Sequence, residues 1–376
     1  MCFENCPDRR DTESVKWGVT IEGVIPMWVA DMDFAAPPPI VDVLYRRISH
    51  PVFGYPMGEE ELKKPIVAHY EKLYHVQVQP EWIVWVASVM PGTVTALKAA
   101  GGTFLYSIPM YNHIRELSKE AKLPAIEVPM KRGEHNYFTF DMEAMENAYT
   151  ADVKSVILCS PHNPVGRVFT QQELEELAAF CERHDLLLIS DEIHCELTLE
   201  GRHIPAFSIN EWALGHSVTL SSAGKVCNIP GLPLGFAIIP DPEIRERFRA
   251  VQDGTIGCFN VLTMAAYEKA YDGSCDAWKD ALRDHLRENR DYLEEVIAEI
   301  PQLTMTHNEG TYLSWIDCSA LGLENPAEYF LKEAKVMFSD GAIYGAPQCI
   351  RLNFGCPKAQ LKEALRRMKE AVEKLL

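Results

Sequence analysis

Four short segments combine side chains that can perform chemistry with residues that favour tight turns. They are Ser88-Val-Met-Pro-Gly, Ser160-Pro-His-Asn-Pro, Asp191-Glu-Ile-His and Ser222-Ala-Gly-Lys. A lysine amine can attach to a carbonyl carbon, a carboxylate can hold a proton, and amide and hydroxyl groups can bind an anion. Each segment follows a run of apolar residues. Because ligands bind beyond the carboxyl ends of strands in open α/β sheets, we expect the four segments to line one crevice.

The apolar runs that precede these segments predict a buried sheet. The candidate strands are Trp82–Ala87, Thr103–Ser107, Ser155–Cys159, Leu186–Ser190, Val218–Ser221 and Gly235–Ile239. They are apolar throughout rather than alternating, which is typical of strands buried on both faces. Between the third and fourth strands, Gln171–His184 has helical periodicity and opens with a capping box of Thr170 and Glu173. This strand–helix–strand order predicts a doubly wound α/β domain.

The C-terminal third follows a different pattern. Asp276–Ile300 predicts one long amphipathic helix, with leucine, valine and isoleucine on its apolar side. Strand-like runs follow at Tyr312–Ile316 and Ile350–Phe354, and Lys358–Leu376 predicts a closing helix. The pattern indicates a smaller α+β domain.

The change of pattern near Gly273 suggests a division of the chain. We expect a large α/β domain over residues 46–273 and a small α+β domain over residues 274–376. The N-terminal segment, residues 1–45, is expected to join the small domain.

Several of these segments resemble a known family. Ser160-Pro-His-Asn-Pro-Val-Gly, Asp191-Glu-Ile-His and Ser-Ala-Gly-Lys225, in that order and spacing, resemble the class I/II aminotransferases of pyridoxal-phosphate (PLP) fold type I. Met27-Trp-Val-Ala-Asp-Met-Asp-Phe34 and Arg351-Leu-Asn-Phe-Gly-Cys-Pro357 resemble the cystathionine β-lyase (C–S lyase) branch. The resemblance implies a large domain with a mostly parallel seven-stranded sheet, a smaller α+β C-terminal domain, and pyridoxal 5'-phosphate as the cofactor.

The resemblance assigns the main chemical roles to three residues. Lys225 would carry PLP as a Schiff base and then act on the α-proton of the substrate, since partial burial lowers the pKa of a lysine. Asp191 would pair with the pyridinium nitrogen and keep it protonated. Arg351 would bind the substrate carboxylate with its planar fork. The alternatives are a surface lysine, a helix N-cap aspartate and a structural ion pair.

Three further residues are expected around the PLP ring. Tyr111 resembles the aromatic residue that stacks on the ring and takes part in catalysis. Asn163 would hydrogen-bond the 3'-oxygen of the ring and lie beside the substrate. His194 stands where many relatives offer a tyrosine hydroxyl to the same oxygen. A core tyrosine, an Asn-Pro turn and an ordinary buried or exposed histidine are the alternatives.

The cofactor phosphate is expected to meet neutral donors. The predicted donors are Ser88, the backbone N–H groups of Val89 and Met90, and Ser222. Pro91 suits the first turn of a helix, whose free N–H groups and dipole favour an anion. By resemblance Tyr55 would reach the phosphate from a second subunit, which implies a homodimer with shared active sites. The alternative for both serines is plain turn chemistry.

Three features depart from the family pattern. Many relatives carry a basic residue eight positions after the lysine, where this chain has Pro233. The C–S lyase branch usually has serine before the lysine and Thr-Phe-Asn after it, whereas this chain has Gly224 and Val226-Cys-Asn228. The Ala99-Ala-Gly-Gly-Thr103 loop is short, which could reshape the region that stacks on the ring.

Composition narrows the class of protein. The chain has 376 residues, a formal net charge of −18 and no long basic run, which argues against nucleic-acid binding. The N-terminus has no apolar signal region and no apolar stretch approaches the roughly 20 residues that span a bilayer, so we expect a cytoplasmic protein without membrane contact. The 11 cysteines show no metal-finger spacing, so no metal site is expected.

Three functions are compatible with these residues. The favoured one is a PLP-dependent C–S β-lyase that cleaves a sulfur amino acid to pyruvate, ammonia and a thiol. An aminotransferase would use the same Lys225, Asp191 and Arg351, and the Gly224 context keeps that alternative open. A non-catalytic PLP-fold protein is disfavoured, because every cofactor position except the basic one is filled.

Overall fold

The computed structural model describes residues 3–18, 21–255, 257 and 259–375. Its helices, numbered in chain order, are α1 Val15–Gly18, α2 Pro38–Ile48, α3 Lys63–Tyr74, α4 Val89–Ala100, α5 Asn112–Ala121, α6 Met142–Ala148, α7 Gln171–Arg183, α8 Glu211–Gly215, α9 Pro242–Gln252, α10 Val261–Tyr271, α11 Asp276–Ala298, α12 Pro326–Glu333 and α13 Lys358–Glu373. Its strands are β1 Ile25–Pro26, β2 Ile83–Val86, β3 Thr103–Ile108, β4 Ala125–Pro129, β5 Lys131–Arg132, β6 Phe138–Thr139, β7 Val153–Cys159, β8 Leu187–Asp191, β9 Ser217–Ser221, β10 Gly235–Ile238, β11 Thr304–Met305, β12 Leu313–Asp317, β13 Val336–Met337, β14 Ser339–Asp340 and β15 Cys349–Asn353. In the described ranges, every helix is too short or too polar to span a bilayer.

A seven-stranded sheet forms the centre of the described chain, in the order β2-β10-β9-β8-β7-β3-β4. β10 runs antiparallel to both of its neighbours, and the other pairs are parallel. The six strands expected from apolar runs are all present, with ends that move by one or two residues. The seventh, β4, is an edge strand that ends in a proline and is partly exposed, so it lacks the continuous apolar run that marks the others.

Burial on both faces explains the sequence of the central strands. Every residue of β2, β9 and β10 is buried, and helices cover the sheet on both sides. Helix α4 packs close to β9 because Gly92 has no side chain: a Cβ there would lie 2.6 Å from Leu220 Cδ2. Helix α7 begins at the expected capping box, in which Thr170 and Glu173 bond each other's backbone N–H groups.

A second sheet, in the order β11-β12-β15-β14, is antiparallel throughout and lies beside α11 and α12. The N-terminal segment joins this region, since Ile25 of β1 pairs with Val336 of β13. The predicted architecture of a mostly parallel sheet followed by an α+β part is therefore confirmed. The boundaries at residues 45 and 273 stay a prediction.

Candidate active site

The four chemical segments do meet at one edge of the large sheet. They follow β2, β7, β8 and β9, whose carboxyl ends all point the same way. A cavity at this edge, called here the inner cavity, is lined by nine residues expected to bind the cofactor: Ser88, Val89, Met90, Tyr111, Asn163, Asp191, His194, Ser222 and Lys225. Residues that are up to 137 positions apart in the chain therefore share one small space.

A larger cleft of about 740 Å³, called here the outer cleft, adjoins the inner cavity. The two share Ala30, Tyr111, Lys225 and Pro230 in their walls, and the outer cleft also contains Arg351. A volume of this size is typical of a small-molecule site. Tyr55 lines neither space and is 92% exposed in the single chain, so its predicted contribution to a partner's phosphate site stays a prediction.

Lys225 lies where the inner cavity and the outer cleft meet. Its Nζ donates to the carbonyl oxygen of Ala30 at 2.6 Å. Burial of the amine, aided by the positive charge of Arg351, lowers the pKa of Lys225 to about 8. A lysine with that pKa is neutral in about a tenth of molecules at pH 7, far more than an ordinary lysine, and the neutral amine is the form that can attach to a carbonyl carbon.

Asp191 is the last residue of β8 and is buried. It pairs with Cys159 of the neighbouring strand β7. Its Oδ1 accepts from the backbone N–H of Ile193 at 3.1 Å. Burial raises the pKa of Asp191 to about 6 although Lys225 acts against the shift. A buried carboxylate of this kind is suited to a cationic partner, such as a protonated ring nitrogen.

His194 occupies the inner cavity as a neutral side chain. Burial, with Lys225 and Arg351 nearby, lowers the pKa of His194 well below its usual range. Its Nδ1 is buried and has no hydrogen-bond partner among the described residues. An orphaned ring nitrogen in a cavity is suited to a polar ligand atom, which agrees with its expected place beside the ring.

Arg351 is a buried cation, and none of the described carboxylates forms an ion pair with it. Its side chain is 3% exposed, yet its Nη groups donate only to neutral oxygens: Asn163 Oδ1 at 3.0 Å, the Trp28 carbonyl at 2.8 Å and Ser339 Oγ at 3.3 Å. Its Nε has no hydrogen-bond partner within the described chain. A guanidinium in this setting is unfavourable unless an anion joins it, so an anionic ligand is favoured over a structural ion pair, for which the described residues supply no partner.

Tyr111 and Asn163 connect the two spaces. Tyr111 is partly buried, packs edge-on against His113 at 5.2 Å and lines both the inner cavity and the outer cleft. Desolvation raises the pKa of Tyr111, so its hydroxyl stays protonated. Asn163 is buried and binds Arg351 through its Oδ1.

The far end of the inner cavity is built from neutral donors. Ser88 caps α4 through its backbone, and its hydroxyl makes no capping bond. The first N–H groups of a helix have no partner within the helix and attract an anion. Gly224 and Pro233 also lie here. Of the described residues around the inner cavity, only Lys225 and His194 are basic. A phosphate therefore fits this end through dipoles and hydroxyl groups.

The segment from Met27 to Phe34 holds both the turn that carries Lys225 and the strand that carries Arg351. Asn228, three residues after Lys225, donates to the carbonyls of Met32 and Phe34 and accepts from the Met32 N–H. Asn353, two residues after Arg351, donates to the Asp31 carbonyl. The segment thus links the lysine turn to the arginine strand. Only the two asparagines could have indicated this from the sequence.

Comparison with known proteins agrees with this geometry. A sequence profile described as "Aminotransferase class I and II" matches residues 30–368. The chain belongs to the aminotransferase class I and II family. Members of this family share the fold seen here, so the predicted PLP fold type I is confirmed.

Relatives within the family match over almost the whole chain. Cystathionine beta-lyase PatB of Bacillus subtilis (strain 168) is 33% identical, covering 99% of this chain and 100% of PatB. The crystal structure of OvoB has a TM-score of 0.95 at 36% identity and 99% coverage of both chains. Cystalysin from Treponema denticola, whose crystal structure contains a pyridoxal 5'-phosphate cofactor, has a TM-score of 0.94 at 30% identity, covering 100% of this chain and 99% of cystalysin.

Proposed function

We propose that the protein is a PLP-dependent C–S β-lyase. It takes a sulfur amino acid, R–S–CH2–CH(NH3+)–COO−, and water to a thiol RSH, pyruvate and ammonium. One C–S bond breaks, the sulfur leaves with a proton, and water replaces the amino group as the keto oxygen. No oxidant, reductant or second keto acid takes part.

The observation that carries this proposal is the Arg351 guanidinium, which is buried with no anionic partner in the described part of the chain and lines the same cleft as Lys225. A fixed cation beside an exchangeable amine is what recognition of an α-amino acid needs: the cation binds the carboxylate and the amine site receives the amino group. The preference for β-elimination rests on the similarity to PatB, which is named a cystathionine beta-lyase.

The residues of the inner cavity fit PLP as the cofactor. Lys225 would attach it, Asp191 would hold a proton on its ring nitrogen, Tyr111 would cover the ring face, and Asn163 and His194 would meet the 3'-oxygen. When bound, PLP withdraws electrons from the α-carbon of the substrate, which makes the α-proton acidic.

Lys225 is the group that moves the proton. Once its amine is released, the lowered pKa near 8 lets it accept the α-proton and return a proton to a later position. Arg351, held by Asn163 and Trp28, fixes the carboxylate and so fixes which bond of the α-carbon faces the lysine. The thiolate leaves into the outer cleft, which has room for an S-substituent.

Transamination is the second candidate, and the family profile itself describes aminotransferases. It would use the same proton transfers by Lys225 but return the proton to the cofactor, consuming a keto acid. Gly224 in place of the serine usual in the C–S lyase branch is the feature of this chain that favours it.

We also propose that the protein is a cytoplasmic homodimer whose partner subunit supplies Tyr55. The segment around it supports this assembly: Val52, Phe53, Tyr55 and Met57 are all more than half exposed in the single chain. A cluster of this kind favours contact with another protein surface.

The test is the incubation of purified protein and PLP with cystathionine in the absence of any keto acid. A lyase releases pyruvate, ammonium and a thiol in equal amounts over many turnovers. An aminotransferase stops after one turnover with the cofactor converted to pyridoxamine phosphate. Absence of pyruvate from cystathionine and from simpler S-alkyl cysteines would overturn the proposal.

A further inference from the structure

The end of the inner cavity near Ser222 contains a hydroxyl group that no role yet explains. Tyr267 of α10 is 1% exposed, and its ring reaches the cavity wall beside Ser222 and Pro233. Its hydroxyl lies 2.7 Å from Ser222 Oγ and 2.5 Å from the carbonyl oxygen of Leu234. Ser222 Oγ lies 2.7 Å from the same carbonyl. Two hydroxyl groups and one carbonyl therefore form a closed triangle.

The protons in this triangle restrict what Ser222 can do. Each hydroxyl has one proton to donate. The Leu234 carbonyl needs one hydrogen-bond donor because it is buried. If Tyr267 donates to the carbonyl, Ser222 keeps its proton for another acceptor. Without Tyr267, Ser222 would have to give its proton to the carbonyl. The backbone N–H of Gly224 meanwhile donates to Ser222 Oγ at 3.1 Å, so the oxygen is also held in place.

Gly224 leaves room for this arrangement. A Cβ at position 224 would lie 3.2 Å from Ser222 Oγ and 3.8 Å from the Tyr267 hydroxyl. The Cβ of the serine that usually precedes the lysine in the C–S lyase branch would lie tightly against Ser222 Oγ and in ordinary van der Waals contact with the Tyr267 hydroxyl. Gly224, Pro233 and Tyr267 therefore all line the inner cavity. The two departures from the family pattern occur together with a buried tyrosine hydroxyl.

We infer that Tyr267 is a positioning residue for the cofactor phosphate: it donates to the Leu234 carbonyl and so leaves the Ser222 proton free to bind the phosphate. The inference rests on the proposed function only in taking PLP as the ligand of the inner cavity. Tyr267 thereby compensates in part for the missing basic residue, because the Ser222 hydroxyl that it frees can donate a strong hydrogen bond to the doubly charged phosphate.

The test measures the dissociation constant of PLP for the purified apoprotein, by equilibrium dialysis, in the wild type and four variants. Tyr267→Phe removes the donor, Ser222→Ala removes the phosphate ligand, and the double variant removes both. Tyr271→Phe is the matched control, because the Tyr271 hydroxyl is one turn further along α10, equally buried, and without a hydrogen-bond partner among the described residues. The unfolding temperature of each apoprotein is measured alongside.

Tyr267→Phe is expected to weaken PLP binding roughly 10-fold, the usual effect of losing one hydrogen bond to a charged group. Its apoprotein should unfold within about a degree or two of the wild type, because Ser222 then satisfies the Leu234 carbonyl. Ser222→Ala should weaken binding by a similar factor, and the double variant no further. Tyr271→Phe should bind PLP like the wild type.

Three results would overturn the inference. Tyr267→Phe could bind PLP as the wild type does, the two effects could multiply in the double variant, or Tyr271→Phe could weaken binding as much as Tyr267→Phe. The last two would indicate a packing role for the ring. If the wild-type protein itself bound no PLP, the proposed function would fail instead, so the two failures are distinguishable.

Discussion

The two ends of the inner cavity are built on opposite principles. At the ring end, Asp191 and Lys225, with Arg351 in the adjoining outer cleft, bring formal charges into a buried setting, and burial lowers the pKa of the lysine and raises that of the aspartate. At the phosphate end, the donors are helix N–H groups and the hydroxyls of Ser88 and Ser222, and Tyr267 positions the Ser222 hydroxyl. Among the described residues, the end that receives the most highly charged part of the ligand is lined by no charged side chain apart from the ring-end residues Asp191 and Lys225.

The difference reflects what each end has to do. Proton transfer requires groups whose charge changes, and burial sets their pKa values near the working pH. Holding a phosphate requires only fixed donors, which a helix N-terminus supplies without the desolvation penalty of burying a cation. Changes at the ring end should therefore alter rates, and changes at the phosphate end should alter the affinity for the cofactor.

Replacement of Lys225 by alanine should have the largest effect. Turnover should fall by about 10³-fold or more, since both cofactor attachment and proton transfer are lost. The measurement is pyruvate release at saturating PLP and substrate. Lys154→Ala, which changes an exposed lysine outside the site, is the control and should turn over like the wild type. Retention of more than a tenth of the activity by Lys225→Ala would assign the proton transfer to another group.

Replacement of Arg351 by lysine should raise KM about 10- to 100-fold, because a charged hydrogen bond contributes about 1.5–3 kcal/mol and the fork geometry is lost. kcat should change less than KM. Initial rates over a range of substrate concentrations separate the two constants. Arg366→Lys, a change at an exposed position of α13, should leave both unaltered. An unchanged KM in Arg351→Lys would remove the carboxylate role.

The pH dependence of cofactor attachment should follow the lowered pKa of Lys225. Below pH 8 the amine is mostly protonated and cannot attack, so the rate should fall about tenfold per pH unit; above pH 8 it should level off. The growth of visible absorbance after PLP is mixed with apoprotein gives the rate. A rate that continues to rise up to pH 10 would mean that burial does not perturb this lysine.

Salt should have the smallest effect, and it separates the two ends most sharply. Raising ionic strength from about 0.1 M to about 1 M shortens the Debye length from roughly 10 Å to roughly 3 Å, yet the dissociation constant of PLP should change by less than about threefold. Dissolved salt screens only weakly the interaction between a phosphate and hydrogen-bond donors that are in direct contact with it. A tenfold weakening would indicate that a cation outside the inner cavity attracts the phosphate.

The sequence predicts the ring end better than the phosphate end, for a physical reason. Asp191 and Lys225 follow buried strands, and a charged residue after an apolar run has few purely structural explanations. Tyr267 lies within a helix, where a tyrosine is usual in a core, and nothing in its spacing indicates a ligand. The Ala30 carbonyl that accepts from Lys225 has no side-chain signature at all.

The same reasoning applies to the fold. Continuous apolar runs identify the six strands buried on both faces, and a capping box marks the start of α7. β4 is missed because an edge strand that ends in proline needs no such run. The pairing of β1 with β13 joins residues about 310 positions apart, and only the folded chain shows it.

The attachment of the cofactor to Lys225 is the claim on which the other roles depend. Reduction of the PLP-loaded protein with borohydride, followed by proteolysis and mass spectrometry, tests it directly. The account predicts one phosphopyridoxyl group per chain, on the peptide that contains Ser222 to Asn228, with the added mass on Lys225. A phosphopyridoxyl group on a different lysine, or none after saturation with PLP, would contradict it.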